Sequence, residues 1–167
     1  HYGHAVSLKE GLSNVGFRIS SAADRFYTRF VDSVFAAGGH KKYAVTRSQE
    51  PRIDKALVEA EAKVTDLGVV TLGRLSGEGV DRKEEGYFTL TDNEKDLLGA
   101  VCSAYHALGK KVVVVLNIGG VIETASWKEL PDAILLSWQT GQQGGAAVAE
   151  LLRGTVNPSG KLPVSYP

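Results

Sequence analysis

The chain has 167 residues, 43% hydrophobic and 23% charged, which suits one domain (1–167) with a substantial core. Its 19 basic and 19 acidic side chains cancel to a formal net charge of zero, so no partner among nucleic acids or anionic membranes is expected. The longest apolar run, near residues 112–116, is too short to span a bilayer.

The chain opens His1-Tyr2-Gly3-His4 and contains no methionine, so it is expected to be a piece of a longer protein. A missing targeting segment then leaves location open between the cytoplasm and export. In chain order, residues 5–14 carry a short helical pattern with Ala5, Leu8 and Leu12 on one face. Residues 15–19 alternate like a strand, with Gly16 at the turn into it. A longer helix follows, in which Ala23, Phe26, Tyr27, Phe30, Val31, Val34 and Phe35 recur at three- and four-residue steps before Gly38-Gly39. That spacing predicts core packing rather than a ligand platform.

Residues 39–50 lack periodicity and are expected to form a loop. Pro51 then suits the first position of a helix with Ile53, Ala56, Leu57, Ala60 and Val64 inward. Residues 66–72 predict a buried strand. Thr91-Asp92-Asn93-Glu94 predicts a capping box opening a helix with Leu97, Leu98, Val101, Tyr105 and Leu108 inward. His106 on that helix is read as structural or solvent-facing, and Cys102 as a small buried apolar group. The run 112–117 suits a central parallel strand, followed by a short helix around 123–128 and another buried strand over 133–138. A helix over 146–152 and an extended, proline-bounded tail complete the chain. Strands alternating with helices predict a three-layer α/β/α sandwich on a mostly parallel sheet. The sheet is expected to lack its first strand, because the first visible element is a helix.

Between the strand at 66–72 and the capping box lies Gly73-Arg74-Leu75-Ser76-Gly77-Glu78-Gly79-Val80-Asp81-Arg82. Its glycines open conformations closed to other residues, and open α/β sheets place ligand sites at the carboxyl ends of their strands. Taken alone, it reads equally well as a charged surface turn. Other signatures are absent or weak. There is no Gly-x-Gly-x-x-Gly, no Gly-x-Ser-x-Gly and no phosphate loop, so a flavodoxin-like nucleotide binder is disfavoured. His1 and His4 at one end of the chain do not make a metal site, and no cofactor is expected. The turn Thr140-Gly141-Gln142-Gln143-Gly144-Gly145 offers either backbone N–H groups to an anion or glycines for close packing, with packing favoured. Trp138 suits either a sugar face or a buried contact.

Residues 112–120, Ala133-Ile134-Leu135-Leu136-Ser137-Trp138-Gln139-Thr140-Gly141-Gln142-Gln143-Gly144-Gly145 and Asn157-Pro158-Ser159-Gly160-Lys161-Leu162-Pro163-Val164-Ser165-Tyr166-Pro167 together resemble family 3 glycoside hydrolases. The match is to their second, (α/β)6-sandwich domain, and it extends to the opening Val6-Ser7-Leu8-Lys9-Glu10-Gly11-Leu12. The loop 74–82 resembles the acid/base loop of the bacterial β-glucosidases in that family. Gln143 stands where many relatives carry Glu, which argues against a charged role there.

The resemblance implies a retaining β-glycosidase acting on a terminal β-linked sugar of a glycoside or oligosaccharide. Glu78 would be the general acid/base, and Arg74, Ser76, Gly77, Gly79, Asp81 and Arg82 would support the loop. The partner it implies is an N-terminal barrel domain of the same protein, which supplies the nucleophile and most sugar contacts. This chain alone is then expected to be inactive, and its exposed face to favour self-association. A non-catalytic α/β module that binds a sugar or a partner domain is the alternative reading.

Overall fold

The computed structural model describes residues 4–38, 50–74 and 83–167. Three parallel strands form one sheet: β1 (Leu67–Gly73), β2 (Lys111–Asn117) and β3 (Ala133–Leu136), in the order β1-β2-β3. The five α-helices among these residues are α1 (Leu8–Asn14), α2 (Ser21–Gly38), α3 (Lys55–Val64), α4 (Asp92–His106) and α5 (Gly144–Arg153). The architecture is the expected α/β sandwich.

Strand alternation explains the layers. Gly68, Val70 and Leu72 of β1 stand opposite Val112, Val114 and Leu116 of β2. These apolar side chains share one core with Val58 and Ala62 of α3 and Leu97, Leu98, Val101, Cys102 and Tyr105 of α4. Val115 points to the opposite face and is also buried, as are Leu12 of α1 and Val148 and Ala149 of α5. Burial on both faces makes β2 the central strand its unbroken valine run predicts. Burial also pushes the Cys102 thiol up to about 11, with a smaller contribution from the Asp132 carboxylate, so this thiol is a packing group.

Several expectations change. Residues 15–19 form no strand: Gly16, at φ 93, follows α1 in a Schellman motif, with Phe17 N donating to Leu12 O (3.0 Å) and Gly16 N to Ser13 O (3.1 Å). The helix expected at Pro51 begins at Lys55, because the Asp54 side chain caps it by accepting from Ala56 N (2.9 Å). Its buried face is Val58 and Ala62, while Val64 is 76% exposed. The Lys110 ammonium closes the other end, donating to Ala62 O and Thr65 O. Residues 123–128 make only hydrogen-bonded turns, with Lys128 N donating to Thr124 O (2.8 Å) and the buried Trp127 indole to Glu123 O (2.7 Å). β3 stops at Leu136 and is a sheet edge rather than a buried strand, with Ile134 exposed. Leu108 lies beyond α4 and is exposed as well.

The aromatic stripe of α2 is only half-buried. Ala23, Phe26 and Tyr27 line a groove of about 350 Å³ with Ile53, Leu57 and Gly68-Val69-Val70-Thr71. Four consecutive strand residues alternate faces, so the groove runs along the outer edge of β1. Two carboxylates reach this side. The Tyr27 hydroxyl donates to Glu50 (2.5 Å), and Ser20 donates to Glu61. Desolvation raises the pKa of both Tyr27 and Glu50, and the Glu50 charge raises that of Tyr27 further.

At the amino end of β2, Asp132 accepts from Lys111 Nζ (2.7 Å) and Val112 N (2.8 Å), and pairs with His106 Nε2 (2.9 Å). His106 is therefore structural, as expected. The Lys111 bond, then the Val112 and His106 bonds, hold the Asp132 carboxyl well below the usual carboxylate range. A pKa depressed by folding gives stability that is present above the unfolded value of about 3.9 and is lost as pH falls through the folded value. Asp132→Asn is thus expected to lower the melting temperature at pH 7, with the gap from the parent closing as pH falls below about 4. Melting curves across that range check this; a gap independent of pH would remove the carboxylate from the account.

Candidate active site

The carboxyl ends of β1 and β2 gather three segments. Arg74 N donates to Asn117 O (3.1 Å), extending the β1–β2 ladder by one bond. Residues 84–88 form a wide turn, with Gly86 at φ 74, closed by Thr89 N donating to Glu84 O (2.9 Å). Glu123 N then donates to Phe88 O (2.8 Å), and Thr124 and Ala125 donate to Pro167 O. At the neighbouring strand end Ser137 Oγ donates to Leu116 O (2.9 Å). Trp138 follows at φ 57, the one positive-φ residue other than glycine among those described, with its ring 6.5 Å from that of Tyr166. Trp138 is half-buried there.

Arg74 is the first residue after β1, and every N–H of its guanidinium is used. Nε donates to Tyr87 O (3.1 Å), and Nη1 to Gly73 O (2.8 Å) and Glu94 Oε1 (2.6 Å). Nη2 donates to Glu94 Oε2 (2.8 Å) and, at 3.5 Å, to Thr89 O. Both side chains of the pair are buried, with 7% and 8% exposure. The fork-to-fork geometry is the strong form of this contact. Removing either partner of such a pair leaves a buried charge alone and costs about 3–5 kcal/mol.

Glu94 has a second task. It is the third residue of α4, and its Oε2 accepts from Thr91 N (2.8 Å) while Glu94 N donates to Thr91 Oγ1 (3.3 Å), completing the predicted capping box. Next to it, Asn93 Nδ2 donates to Glu50 O (2.8 Å). The first turn of α4 therefore fastens Glu50, which follows residues 39–49, and Arg74, which precedes residues 75–82.

Of the expected site residues, Arg74 is placed at the carboxyl end of β1. Ser76, Gly77, Glu78, Gly79, Asp81 and Arg82 lie outside the described residues. The sequence reading missed Glu94 as a partner of Arg74. Its only visible signal was the capping box, which accounts for a Glu at that position without any distant partner. His4 pairs with exposed Glu10 at 3.0 Å.

The turn at 140–145 is a packing device. An added Cβ at Gly145 would lie 2.2 Å from Ser7 O, and one at Gly11 would lie 2.2 Å from Gly145 O. The N–H of Gly145 is already used by Val6 O (3.2 Å). Gln143 is the N-cap of α5 and makes no side-chain capping bond.

The family model for the glycosyl hydrolase family 3 C-terminal domain matches residues 5–167. The chain belongs to glycoside hydrolase family 3. This family 3 domain is 32% identical over 184 residues to β-glucosidase A of Butyrivibrio fibrisolvens, covering 93% of the chain and 21% of that enzyme. It is 38% identical over 121 residues to an exo-α-(1→6)-L-arabinopyranosidase of Bifidobacterium longum, covering 71% of the chain and 15% of the relative. Among solved structures, β-glucosidase 3B from Thermotoga neapolitana in complex with α-D-glucose superposes with a TM-score of 0.92 at 37% identity. That match covers 100% of the family 3 domain and 24% of the enzyme. The chain thus spans about a quarter or less of the length of these relatives.

Proposed function

We propose that this family 3 domain is part of a retaining β-glucosidase and that Glu78 is its general acid/base. The observation that carries the reading is the saturated, neutralised Arg74 at the start of the loop bearing Glu78. Retaining hydrolysis needs two carboxyl groups about 5–5.5 Å apart, one as nucleophile and one that protonates the leaving oxygen and then deprotonates water. The proton donor must stay protonated near working pH, so a free guanidinium beside it would oppose its role. Arg74 carries a charge cancelled by Glu94, and it has no N–H left to offer a carboxylate.

The same proposal assigns the nucleophile and most sugar contacts to a barrel domain of the same protein. The outer edge of β1, which no strand among the described residues pairs, and the groove beside it support reading the chain as one part of a larger body. Glucose is the proposed sugar, on the strength of the β-glucosidases among the relatives. Two experiments test the reading. Glu78→Ala in the full-length enzyme should cripple hydrolysis in proportion to how poor the leaving group is. The chain by itself, holding one carboxylate of the pair, should give no turnover of an aryl β-glucoside above the buffer rate. Measurable turnover by the chain alone would overturn the two-domain division of the site.

A further inference from the structure

We infer that Glu94 is a positioning residue for the acid/base step, acting through Arg74. This rests on the reading of Glu78 given above and assigns a role to a residue that the loop motif does not contain. A capping Glu at the third helix position needs only the N–H of Thr91, which its Oε2 accepts at 2.8 Å. Here the same carboxylate also takes two charge-assisted bonds from Arg74, and both side chains are more than nine-tenths buried. The pair ties the end of β1 to the start of α4, while Tyr87 O and Thr89 O hold the guanidinium from the returning strand of chain. Arg74, which precedes residues 75–82, and Tyr87 and Thr89, which follow them, are therefore held on one clamped base.

Two consequences follow for the chemistry. Arg74, the residue from which the chain enters the stretch bearing Glu78, is held by a planar fork that tolerates little rotation. The positive charge four residues before Glu78 is cancelled locally, which protects the raised pKa a proton donor requires. Glu94 touches neither substrate nor the scissile bond.

The test is made in the full-length enzyme with Glu94→Gln and Arg74→Lys. Gln keeps the capping geometry and removes the counter-charge. Lys keeps the charge and replaces the fork by three rotatable donors. For Glu94→Gln the alkaline limb of kcat/KM should move down by about half a pH unit or more, because uncancelled Arg74 favours the ionised form of Glu78. Its loss should be at least tenfold greater on alkyl than on dinitrophenyl glucosides. For Arg74→Lys the limb should stay in place while the same leaving-group-selective loss appears.

A residue that merely holds the fold would lower the active fraction, so activity would fall equally on all substrates with the limb unmoved. That result in either variant overturns the inference. If Glu94→Gln does not fold, Arg74→Lys decides alone through its leaving-group dependence. Failure of the parent reading is separable, since Glu78→Ala would then show no leaving-group dependence either.

Discussion

Glu78→Ala in the full-length enzyme is expected to lower kcat/KM on alkyl β-glucosides by about 10²–10⁴-fold, the usual worth of a positioned proton donor. On dinitrophenyl glucoside the same substitution should cost kcat/KM less than about tenfold, because a phenolate of low pKa leaves without a proton. The second half of the reaction behaves differently. Breakdown of the glycosyl-enzyme needs the same carboxylate as a base to activate water, so kcat on the activated substrate should fall and the intermediate should accumulate. Azide needs no base. It should restore kcat on that substrate and divert the product to β-glucosyl azide, which retention of configuration requires. Steady-state kinetics over a series of leaving groups, with product analysis by NMR, reads all of this. A loss equal across leaving groups and untouched by azide would move the acid/base role to another carboxylate, with the family assignment unchanged.

Gly145→Ala is expected to have a large effect on stability. The methyl group would sit 2.2 Å from Ser7 O, 2.3 Å from Ser7 C and 2.5 Å from Val6 O. All three are backbone atoms, so no side-chain rotation makes room. Relief requires moving the start of α1 away from α5, which breaks the Gly145 N to Val6 O and Val6 N to Gln142 O bonds. It also opens the contact between Gly11 and the Gly145 carbonyl. We expect a loss of about 3 kcal/mol or more, toward the upper end for overpacking substitutions. Gly99→Ala is the matching control. It lies within α4 with nothing within 4 Å of an added Cβ, and should stabilise by about 0.5–1 kcal/mol through the helix preference of alanine. Urea unfolding of the two variants beside the parent compares them. A mild Gly145→Ala would mean that α1 docks more loosely than its backbone contact with α5 suggests.

The sequence by itself determined the class of fold, the strands β1 and β2, the capping box at Thr91 and the family. Each is a local or near-local signal. A run of valines is apolar on both faces, Thr91 and Glu94 are three residues apart, and the family motifs are contiguous stretches. It also singled out the stretch 73–82 through composition alone, since Glu78 set between two glycines is visible without coordinates. Local reading failed where two competing devices were both local. Gly16 ended α1 in a Schellman turn in place of starting a strand, and Asp54 capped at Lys55 a helix expected to begin at Pro51. What only the tertiary structure decided is which distant residues meet. Arg74 and Glu94 are brought together because β1 and α4 pack on one core, and Gly11 and Gly145 because α1 crosses α5. No periodicity or spacing encodes such pairs. An Arg and a capping Glu look the same in sequence whether solvated or joined, and only the burial supplied by the folded sheet makes removing one of them cost several kcal/mol.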